Sequence, residues 1–547
     1  MALDMNEGIK RREVKLKMLN RLEINDRRGL VICSGILGMI FSIFSVLGYQ
    51  LEKNKNIDFS SGILYVQIIL FGILFAIITF ILFLLFQQLN LSNKQYNCGM
   101  KSFLLTAAFI FIAWMPALIG CYPGFFNYDS SAQWSMYIND KITAHHPPIH
   151  TWLLGTIIEL VNKLTNSMLN GVFFFCCFQM VIFACCFSYV IHYLRMKKLP
   201  RYVILLSCCW FAFFPTCVIN VLSITKDNFF AAFLMVFLTM TLQVLEEPDK
   251  YLKSKRFVFA WAAVTVLTAI TRNNAIYVVA LFLVFLLFLL RKSWKKVLIA
   301  YACMSVLFFL YIGVFCPLIV TDGVNPQEFL SVPTQQLMRV YKEKESELSI
   351  EEKEIYHKLF KDEAFEKYDP KISDNVKKNF NTEVFEENKA EYIKFYFNMG
   401  RQYPKTYLNS FLHNTYGFWY PKAKMVLNSK GLEGYFVCWS QIGSKTPSLI
   451  PFIWDYYQLF INSKLVYGDS FSVVFFAPAS FFWLSLLVTG YLIWKKKKKE
   501  LVVISVMLLL WMTFLFGPVA IVRYVSFLFF AVPLEVSFLF GTNNNAN

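Results

Sequence analysis

The chain has 547 residues, of which 57% are hydrophobic and only 16% are charged, whereas a soluble protein carries about 25% charged residues. Its net charge of +17 does not indicate nucleic-acid binding, because basic residues also mark the cytoplasmic face of membrane proteins. This composition excludes cytosolic enzymes, nucleic-acid-binding proteins and small disulfide scaffolds, and it predicts an all-α polytopic membrane protein.

The chain opens on a basic segment, residues 1–28, and an apolar run of spanning length follows it. A signal peptide would have a shorter apolar core and a small-residue cleavage site. We therefore expect a cytoplasmic tail followed by a membrane anchor. Further apolar runs predict twelve transmembrane helices in total. The predicted spans lie near residues 29–50, 62–86, 102–121, 168–194, 202–222, 228–246, 257–271, 274–290, 297–317, 471–494, 500–520 and 524–542.

Lys and Arg are dense in every second connection, for example at 250–256 and 495–499, as the positive-inside rule predicts for a multi-pass protein. We expect these connections, and hence both termini, to lie in the cytoplasm. Residues 29–317 then form a transmembrane module with an outer loop at 122–167. Residues 471–547 form the C-terminal transmembrane helices.

The outer loop concentrates polar side chains that lipid does not tolerate, so it is expected to line a water-filled cavity. Its candidate residues are Tyr128, Asp129, Gln133, His145, His146 and His150. From Ile149 to Leu164 apolar residues recur at helical spacing, which predicts a helix lying in the membrane interface. A carboxylate beside such a helix suits an enzyme whose substrate has a lipid tail in the bilayer and a head group in water.

The ninth and tenth predicted spans are separated by residues 318–470, which we call the inserted domain. Its composition predicts a mostly helical, extracytoplasmic, water-facing unit. Ser349 and Glu352 match a capping box, which predicts the start of a helix. The aromatic segment 416–421 predicts a loop lying against membrane or substrate.

Three basic residues lie at the predicted outer ends of spans, where the positive-inside rule does not place them. They are Lys226 beside Asp227, Arg272 beside Asn273, and Arg523 beside Tyr524. Arg binds phosphate through two N–H groups, whereas Lys acts as a point charge. Snorkelling to the interface is the simpler explanation for each residue alone, but three at one face favour an anion site. Asp227 is expected to pair with Lys226, with a role as a second acid as the alternative.

Several short motifs occur along the chain in a definite order. They are Tyr122-Pro123-Gly124, Tyr128-Asp129-Ser130 with Gln133, His146-Pro147-Pro148 with His150-Thr151, Lys226-Asp227, Arg272-Asn273, Pro333-Thr334-Gln335-Gln336 and Arg523-Tyr524. This order resembles the membrane-embedded GT-C glycosyltransferases, the fold of protein O-mannosyltransferases and lipid A aminoarabinose transferases. It is most similar to an uncharacterised bacterial multi-pass family of that group. Many GT-C enzymes have an Asp-Glu pair in the first outer loop, whereas here Ser130 follows Asp129, which puts metal binding there in doubt.

The resemblance implies a GT-C-like fold and an inverting transfer of a sugar from a polyprenyl-phosphate carrier to a glycan or lipid acceptor. The active site would face the outer side of a bacterial plasma membrane, in contact with membrane lipid. Asp129 is then the catalytic base, unless it caps a helix that starts at Ser130. The predicted substrate-binding residues are Tyr128, Gln133, His146, His150, Lys226, Asp227, Arg272, Asn273, Gln335, Gln336, Arg523 and Tyr524. For Gln335 and Gln336, contact with sugar hydroxyls competes with an ordinary surface position.

A divalent metal is the one cofactor that these residues suggest, with Asp129, His145 and His146 as candidate ligands. Pro147 and Pro148 break any helix between the histidines. The alternative roles for the histidines are hydrogen bonding to substrate and packing at the membrane interface.

Two other classes of function remain open: a transporter or flippase of lipid-linked saccharides, and a non-catalytic envelope scaffold. Transporters place ionisable groups near the bilayer midplane. The predicted spans are almost free of charge, with Glu535 the main exception, and the polar residues collect at the outer rim. This distribution favours chemistry at the surface over passage through the membrane.

Overall fold

The computed structural model describes residues 24–323, 326–423, 448–461 and 473–541, and most of them are helical. Most of the predicted tail and the start of the predicted span at 471–494 lie outside the described residues. The first part of the chain forms α1 (Ile24–Asn54), α2 (Gly62–Phe86), α3 (Met100–Gly120), α4 (Tyr128–Ile138), β1 (Ile142–Thr143), α5 (Pro148–Thr165), α6 (Met168–Met196), α7 (Arg201–Phe213), α8 (Pro215–Leu222), α9 (Lys226–Glu246), α10 (Pro248–Tyr251), α11 (Lys255–Ile270), α12 (Asn273–Leu289), α13 (Trp294–Phe309) and α14 (Cys316–Ile319).

The second part forms β2 (Val320–Asp322), which pairs in parallel with β1, and the remaining helices. They are α15 (Ser331–Lys344), α16 (Ile350–Leu359), α17 (Asp362–Glu366), α18 (Asp374–Lys377), α19 (Thr382–Glu387), α20 (Lys389–Gln402), α21 (Pro404–Thr415), α22 (Pro451–Ile461), α23 (Val473–Phe476), α24 (Pro478–Trp494), α25 (Lys498–Phe514) and α26 (Ser526–Phe538). Short 3₁₀ helices cover Arg291–Ser293, Pro326–Leu330, Glu345–Glu347, Tyr416–Phe418 and Val522–Val525, and a π-helical turn covers Leu310–Phe315.

Six stretches of described helix are long and apolar enough to cross a membrane, and there are seven if the bent pair α7 and α8 forms one span. They match the predicted spans at 29–50, 62–86, 102–121, 168–194, 228–246 and 297–317, with the bent pair at 202–222. The other five predicted spans correspond to α11, α12, α24, α25 and α26, which have 13 to 17 residues. A straight span needs about 20 residues. Length and composition therefore support six or seven of the twelve predicted spans.

Helix α9 lies at the centre of the helical bundle. Its apolar stretch is 94% buried, compared with 22% for α2 and 17% for the helical stretch Arg291–Ile319 at the edge. Helices α6, α11, α25 and α26 pack around α9. The ring of Phe229 lies 5.0 Å from that of Phe183 on α6, and Phe230 lies 6.4 Å from Phe527 on α26. The start of α9 therefore packs against the middle of α6 and the start of α26.

Two of the shorter helices, α12 and α26, begin beside charged residues. Arg272 separates α11 from α12, and the 3₁₀ helix Val522–Val525 carries Arg523 directly before α26. Backbone N–H and C=O groups at helix ends have no partner inside the helix, so a break within a bundle needs polar side chains or water nearby. These breaks thus mark a polar region inside an otherwise apolar bundle.

The inserted domain has an apolar core that is separate from the core of the bundle. Met338, Val340 and Tyr356 are fully buried in it. The predicted capping box is present: the backbone N–H of Glu352 donates to Ser349 Oγ (3.1 Å), and the backbone N–H of Ser349 donates to the Glu352 carboxylate (2.8 Å). The helix predicted from this pattern is α16.

The aromatic segment 416–421 does not form the predicted loop against membrane or substrate. All of its side chains are buried, and Tyr416, Phe418 and Trp419 belong to the bundle core. The indole N–H of Trp483 on α24 donates to the backbone oxygen of Trp419 (2.9 Å). The prediction was wrong because an aromatic turn with Gly and Pro also packs well against other helices, where it buries a large apolar area.

Gly38 on α1 allows a close contact between α1 and α2. A Cβ at this position would lie 2.5 Å from the backbone nitrogen of Ala76 and 2.6 Å from the backbone oxygen of Gly72. Because backbone atoms cannot move aside cheaply, we expect Gly38→Ala to lower the free energy of unfolding by about 1 to 3 kcal/mol. Gly35→Ala, on the same helix, meets nothing within 4 Å and should be neutral or stabilising. Unfolding of the purified variants in detergent measures both; equal destabilisation would contradict this packing.

Candidate functional site

Five charged residues meet at the ends of four helices, and we call them the charged cluster. Asp129 lies in the first turn of α4, and Lys226 and Asp227 open α9. Arg272 directly precedes α12, and Arg523 lies in the 3₁₀ helix before α26. All five belong to the predicted site residues, although they span almost 400 positions of the sequence.

The start of α4 presents Asp129 to the cluster. The side chain of Asn127 caps the helix and accepts a hydrogen bond from the backbone N–H of Ser130 (3.1 Å). The Ser130 hydroxyl donates to Asn127 Oδ1 (3.0 Å) and to the backbone oxygen of Ile224, which ties α4 to the turn before α9. The alternative role of Asp129 as the helix cap is therefore wrong, since the cap is Asn127. The Asp129 carboxylate makes its contacts elsewhere.

The start of α9 is held by uncharged polar side chains. The Thr225 hydroxyl caps the helix and accepts from the backbone N–H groups of Asp227 (3.1 Å) and Asn228 (3.3 Å). The Asn228 amide donates to the backbone oxygen of Asn220 (2.6 Å), and the Gln179 amide donates to the same turn. This buried amide network fixes the turn, and with it the positions of Lys226 and Asp227.

The charged cluster is joined by ion pairs between helices. Lys226 Nζ and Arg523 Nη1 each lie 2.9 Å from the same oxygen, Asp129 Oδ2. Arg272 Nη1 pairs with Asp227 Oδ1, and Arg523 Nε lies 3.9 Å from Asp227 Oδ2. Asp227 therefore pairs with arginines and not with Lys226 as predicted. Successive residues at a helix start point in different directions, so a partner from another helix can approach each of them more easily.

The cluster is largely withdrawn from water. The side chain of Asp227 is 1% exposed, that of Arg272 is 11% exposed, and those of Asp129, Lys226 and Arg523 are 14 to 15% exposed. Asp227 Oδ2 and Arg523 Nε have no hydrogen-bond partner within the described ranges. Such atoms are costly to leave unpaired, so the cluster retains capacity for a polar ligand.

Aromatic rings hold the two guanidinium groups. Arg272 Cζ lies 4.2 Å from the ring centre of Phe514 on α25, 5.0 Å from that of Tyr524 and 5.9 Å from that of Phe230. Arg523 Cζ lies 5.3 Å from the ring centre of Tyr524. Stacking on a ring face orients a guanidinium without using its N–H groups. These N–H groups thus remain directed to carboxylates or to a ligand.

His146 extends the cluster as a neutral hydrogen-bond acceptor. Lys226 Nζ lies 2.6 Å from His146 Nδ1, and since an ammonium group only donates, Nδ1 accepts and Nε2 carries the proton. Burial and the charge of Lys226 lower the pKa of His146 to about 2. His145 is exposed, and its ring centre lies 4.5 Å from that of His146.

Neighbouring positive charges stabilise the ionised form of Asp129. Burial by itself would raise its pKa, but the charges of Arg523 and Lys226 hold the pKa well below its usual range. In this arrangement Asp129 is ionised at neutral pH and is a weak base.

The residues proposed as metal ligands do not fit a divalent cation. The Lys226 ammonium lies between Asp129 and His146, where it would repel a metal ion. Across the described ranges, no three His, Cys, Asp or Glu side chains come together as a ligand group. We therefore assign no chemical step to a metal.

Other predicted site residues lie beside the cluster or away from it. Gln133 and His150 bind each other (3.1 Å), and the Gln133 amide donates to Thr151 (2.9 Å), so these buried groups join α4 to α5. Tyr128 is 55% exposed. Asn273 is also exposed, and its amide donates to the backbone oxygen of Ala144 (3.4 Å).

Gln335 and Gln336 make their contacts within the inserted domain. The Gln335 amide donates to the backbone oxygen of Asp369 (2.6 Å), and the Gln336 amide donates to that of Tyr407 (3.2 Å). The buried position of Gln335 also excludes the ordinary surface alternative for it.

Sequence reasoning missed residues that support the charged cluster. Thr225 before Lys226-Asp227-Asn228 follows the pattern of a helix cap, so it was identifiable. Phe514 carries no such signal, because it lies in an apolar run where any position can face the core.

Residues 138–544 match the family described as "Family of unknown function (DUF6020)", which is most of the chain. The chain belongs to the DUF6020 family. The part that matches the DUF6020 description contains Lys226, Asp227, Arg272 and Arg523, whereas Asp129 precedes it. No curated protein and no solved structure matches the chain.

Removal of the Asp227 charge should destabilise the protein. Asp227→Asn leaves the buried guanidinium of Arg272 without its counter-charge, and we expect a loss of about 3 to 5 kcal/mol in the free energy of unfolding. Glu159→Gln is the control, because it breaks the exposed pair with Lys163 and should change stability little. Denaturation in mixed micelles measures both variants. Equally small effects would show that Arg272 does not depend on Asp227.

The pH dependence of stability should show how much the negative charge of Asp129 stabilises the fold. Because its pKa is lowered by folding, its charge stabilises the protein above the unfolded-state pKa of about 3.9 and loses that effect as the pH falls further. The difference in stability between wild type and Asp129→Asn should be constant from about pH 8 to about pH 5 and shrink below about pH 4. Thermal unfolding over this pH range measures it. A difference that already shrinks between pH 7 and pH 5 would contradict the lowered pKa.

Proposed function

We propose that this protein is an extracytoplasmic glycosyltransferase that moves a sugar from a polyprenyl-phosphate carrier to a cell-envelope acceptor. The observation that carries the proposal is the charged cluster itself, in which three cations and two carboxylates share a nearly buried site at the ends of apolar helices. A lipid-linked phosphate needs this combination of apolar surroundings for its tail and fixed cations for its head group.

The helix ends around the cluster favour anion binding in addition to the charged side chains. Helices α4, α9, α12 and α26 all point their N-termini at it, and a helix N-terminus carries a partial positive charge of about half a unit. With His146 neutral, the five charged side chains leave one net positive charge, which matches the single negative charge of a phosphodiester. Arg272 and Arg523 would bind its oxygens through paired N–H groups, and Lys226 would act as a point charge.

In the proposed reaction, a hydroxyl oxygen of the acceptor attacks the anomeric carbon of the sugar as the bond from that carbon to the phosphate oxygen breaks. The polyprenyl phosphate leaves with the bonding electrons, and the three cations stabilise its growing charge. Asp129 takes the hydroxyl proton. Its low pKa is compatible with this role, because a bound phosphate offsets the charges of Lys226 and Arg523 and thereby raises the basicity of Asp129.

We further propose the architecture that this reaction requires: a GT-C-like, multi-pass protein of a bacterial plasma membrane, with twelve spans and both termini in the cytoplasm. Helices α11, α12, α24, α25 and α26 would be short spans, of which α12 and α26 begin beside residues of the charged cluster. The cluster and the inserted domain would then lie on the outer side, where a glycan or lipid acceptor is available. Glu535, buried on α26 and bonded to Ser485 (2.6 Å), would have a structural role.

Transfer assays with radiolabelled polyprenyl-phosphate sugars test this proposal. Asp129→Asn should lose transfer by a factor of about 100 to 10,000 while it retains lipid binding, and Arg523→Gln should lose transfer by about 100-fold or more. Lys163→Met is the control, since it removes an exposed cation outside the cluster, and it should be fully active.

Three outcomes would contradict the proposal. Full activity of Asp129→Asn would exclude it as the base, and loss of activity with a chelator would require a metal that the present donor set does not fit. Movement of a lipid-linked sugar across vesicle membranes, with no transfer to any acceptor, would instead indicate a transporter.

A further inference from the structure

The segment that carries Arg523 is held from outside the bundle. Between α25 and the 3₁₀ helix Val522–Val525 the chain forms a connection that contains Gly517, Pro518 and Val519. The backbone N–H and the hydroxyl of Ser373 both donate to the backbone oxygen of Pro518 (2.8 and 3.1 Å). The contacts of this connection thus include bonds from the inserted domain.

Two further contacts reach the same connection. The Asn414 amide, on α21, donates to the backbone oxygen of Gly517 (3.1 Å), and Ile372 forms an antiparallel bridge with Val519. Ser373 is fully buried and Asn414 is 3% exposed. Since a buried donor without a partner is costly, these side chains fix the connection in one position.

The inserted domain is also anchored at a second place, the connection between α1 and α2. Arg339 Nη2 donates to the backbone oxygen of Lys55 (2.6 Å) and to Asn56 Oδ1 (2.5 Å), and the backbone N–H of Ile57 donates to Asn409 Oδ1 (3.0 Å). Arg339 is 2% exposed. The domain therefore has a second support on the bundle besides residues 517–519.

We propose that the inserted domain positions Arg523 for its anionic ligand, with Ser373 and Asn414 as the positioning residues. Val519 is four residues before Arg523, and the 3₁₀ helix that carries Arg523 begins at Val522, so a shift of the connection displaces the guanidinium. The displacement matters because Arg523 contacts Asp129 and approaches Asp227, and so links the two carboxylates of the cluster. The nature of the ligand, a phosphate, rests on the proposed function, but the positioning does not.

The test uses the full-length protein with both contacts removed. Ser373→Ala combined with Asn414→Ala deletes two side-chain hydrogen bonds to the connection. Asn379→Ala is the matched control, because its amide donates to Asn375 within the inserted domain (2.9 Å). Ser373→Thr with wild-type Asn414 keeps a hydroxyl and should behave as wild type.

Hydrogen exchange of residues 515–525 is the first measurement, and it is independent of any activity. We expect exchange in the double variant to accelerate by about tenfold, from the loss of two hydrogen bonds, with no change at the start of α9. Unchanged exchange at 515–525, or an equal change in Asn379→Ala, would overturn the proposal.

Binding of farnesyl phosphate and of inorganic phosphate is the second measurement. The double variant should bind farnesyl phosphate about tenfold more weakly than wild type. In an Arg523→Gln background the same two substitutions should weaken binding no further, whereas a general structural defect would weaken binding there too. Faster exchange with unchanged affinity would overturn the proposal. If the wild type binds neither phosphate, the proposed function fails, and the exchange measurement alone decides whether the inserted domain positions Arg523.

Discussion

One carboxylate oxygen, Asp129 Oδ2, is shared by Lys226 and Arg523, and the arrangement of the site depends on this contact. Removing a charge from water costs several kcal/mol, and a neighbouring opposite charge must offset that cost. Three cations in an apolar bundle would repel one another if they were left alone. Asp129 and Asp227 offset that repulsion, and Arg523, which approaches both carboxylates, makes the two ion pairs a single group.

This requirement explains why helices end where they do. A charge in the middle of a helix facing lipid would have no partner, whereas a charge at a helix end can meet charges from other helix ends. The two acidic residues lie in first turns, Asp129 in α4 and Asp227 in α9, where the helix dipole favours them. The cations also lie near helix N-termini, where the dipole disfavours them, so they depend on the carboxylates.

The residues of the site were more predictable than their contacts. Lys226, Arg272 and Arg523 could be recognised because charged residues interrupt apolar runs, which is costly unless the charge is used. Their partners could not be deduced, because a pairing such as Arg272 with Asp227 depends on how helices pack. Helix α5 and the capping box at Ser349 were predictable because they depend on residues close together in the sequence. The burial of residues 416–421 depends on how distant helices pack, so the sequence did not show it.

The balance between ion pairs and hydrogen bonds in this cluster supports the proposed anion site. A network that serves only stability would use its donors fully, since each unmade bond to a charged group costs free energy. Here Lys226 uses two of its three N–H groups, on Asp129 and His146, and Arg523 Nε has no hydrogen-bond partner in the part of the chain described. The carboxylates therefore neutralise all but one of the positive charges, whereas some N–H donors still have no acceptor. An anion of low charge with several acceptor oxygens, such as a phosphodiester, satisfies both conditions together, whereas water could fill the donors but could not balance the remaining positive charge.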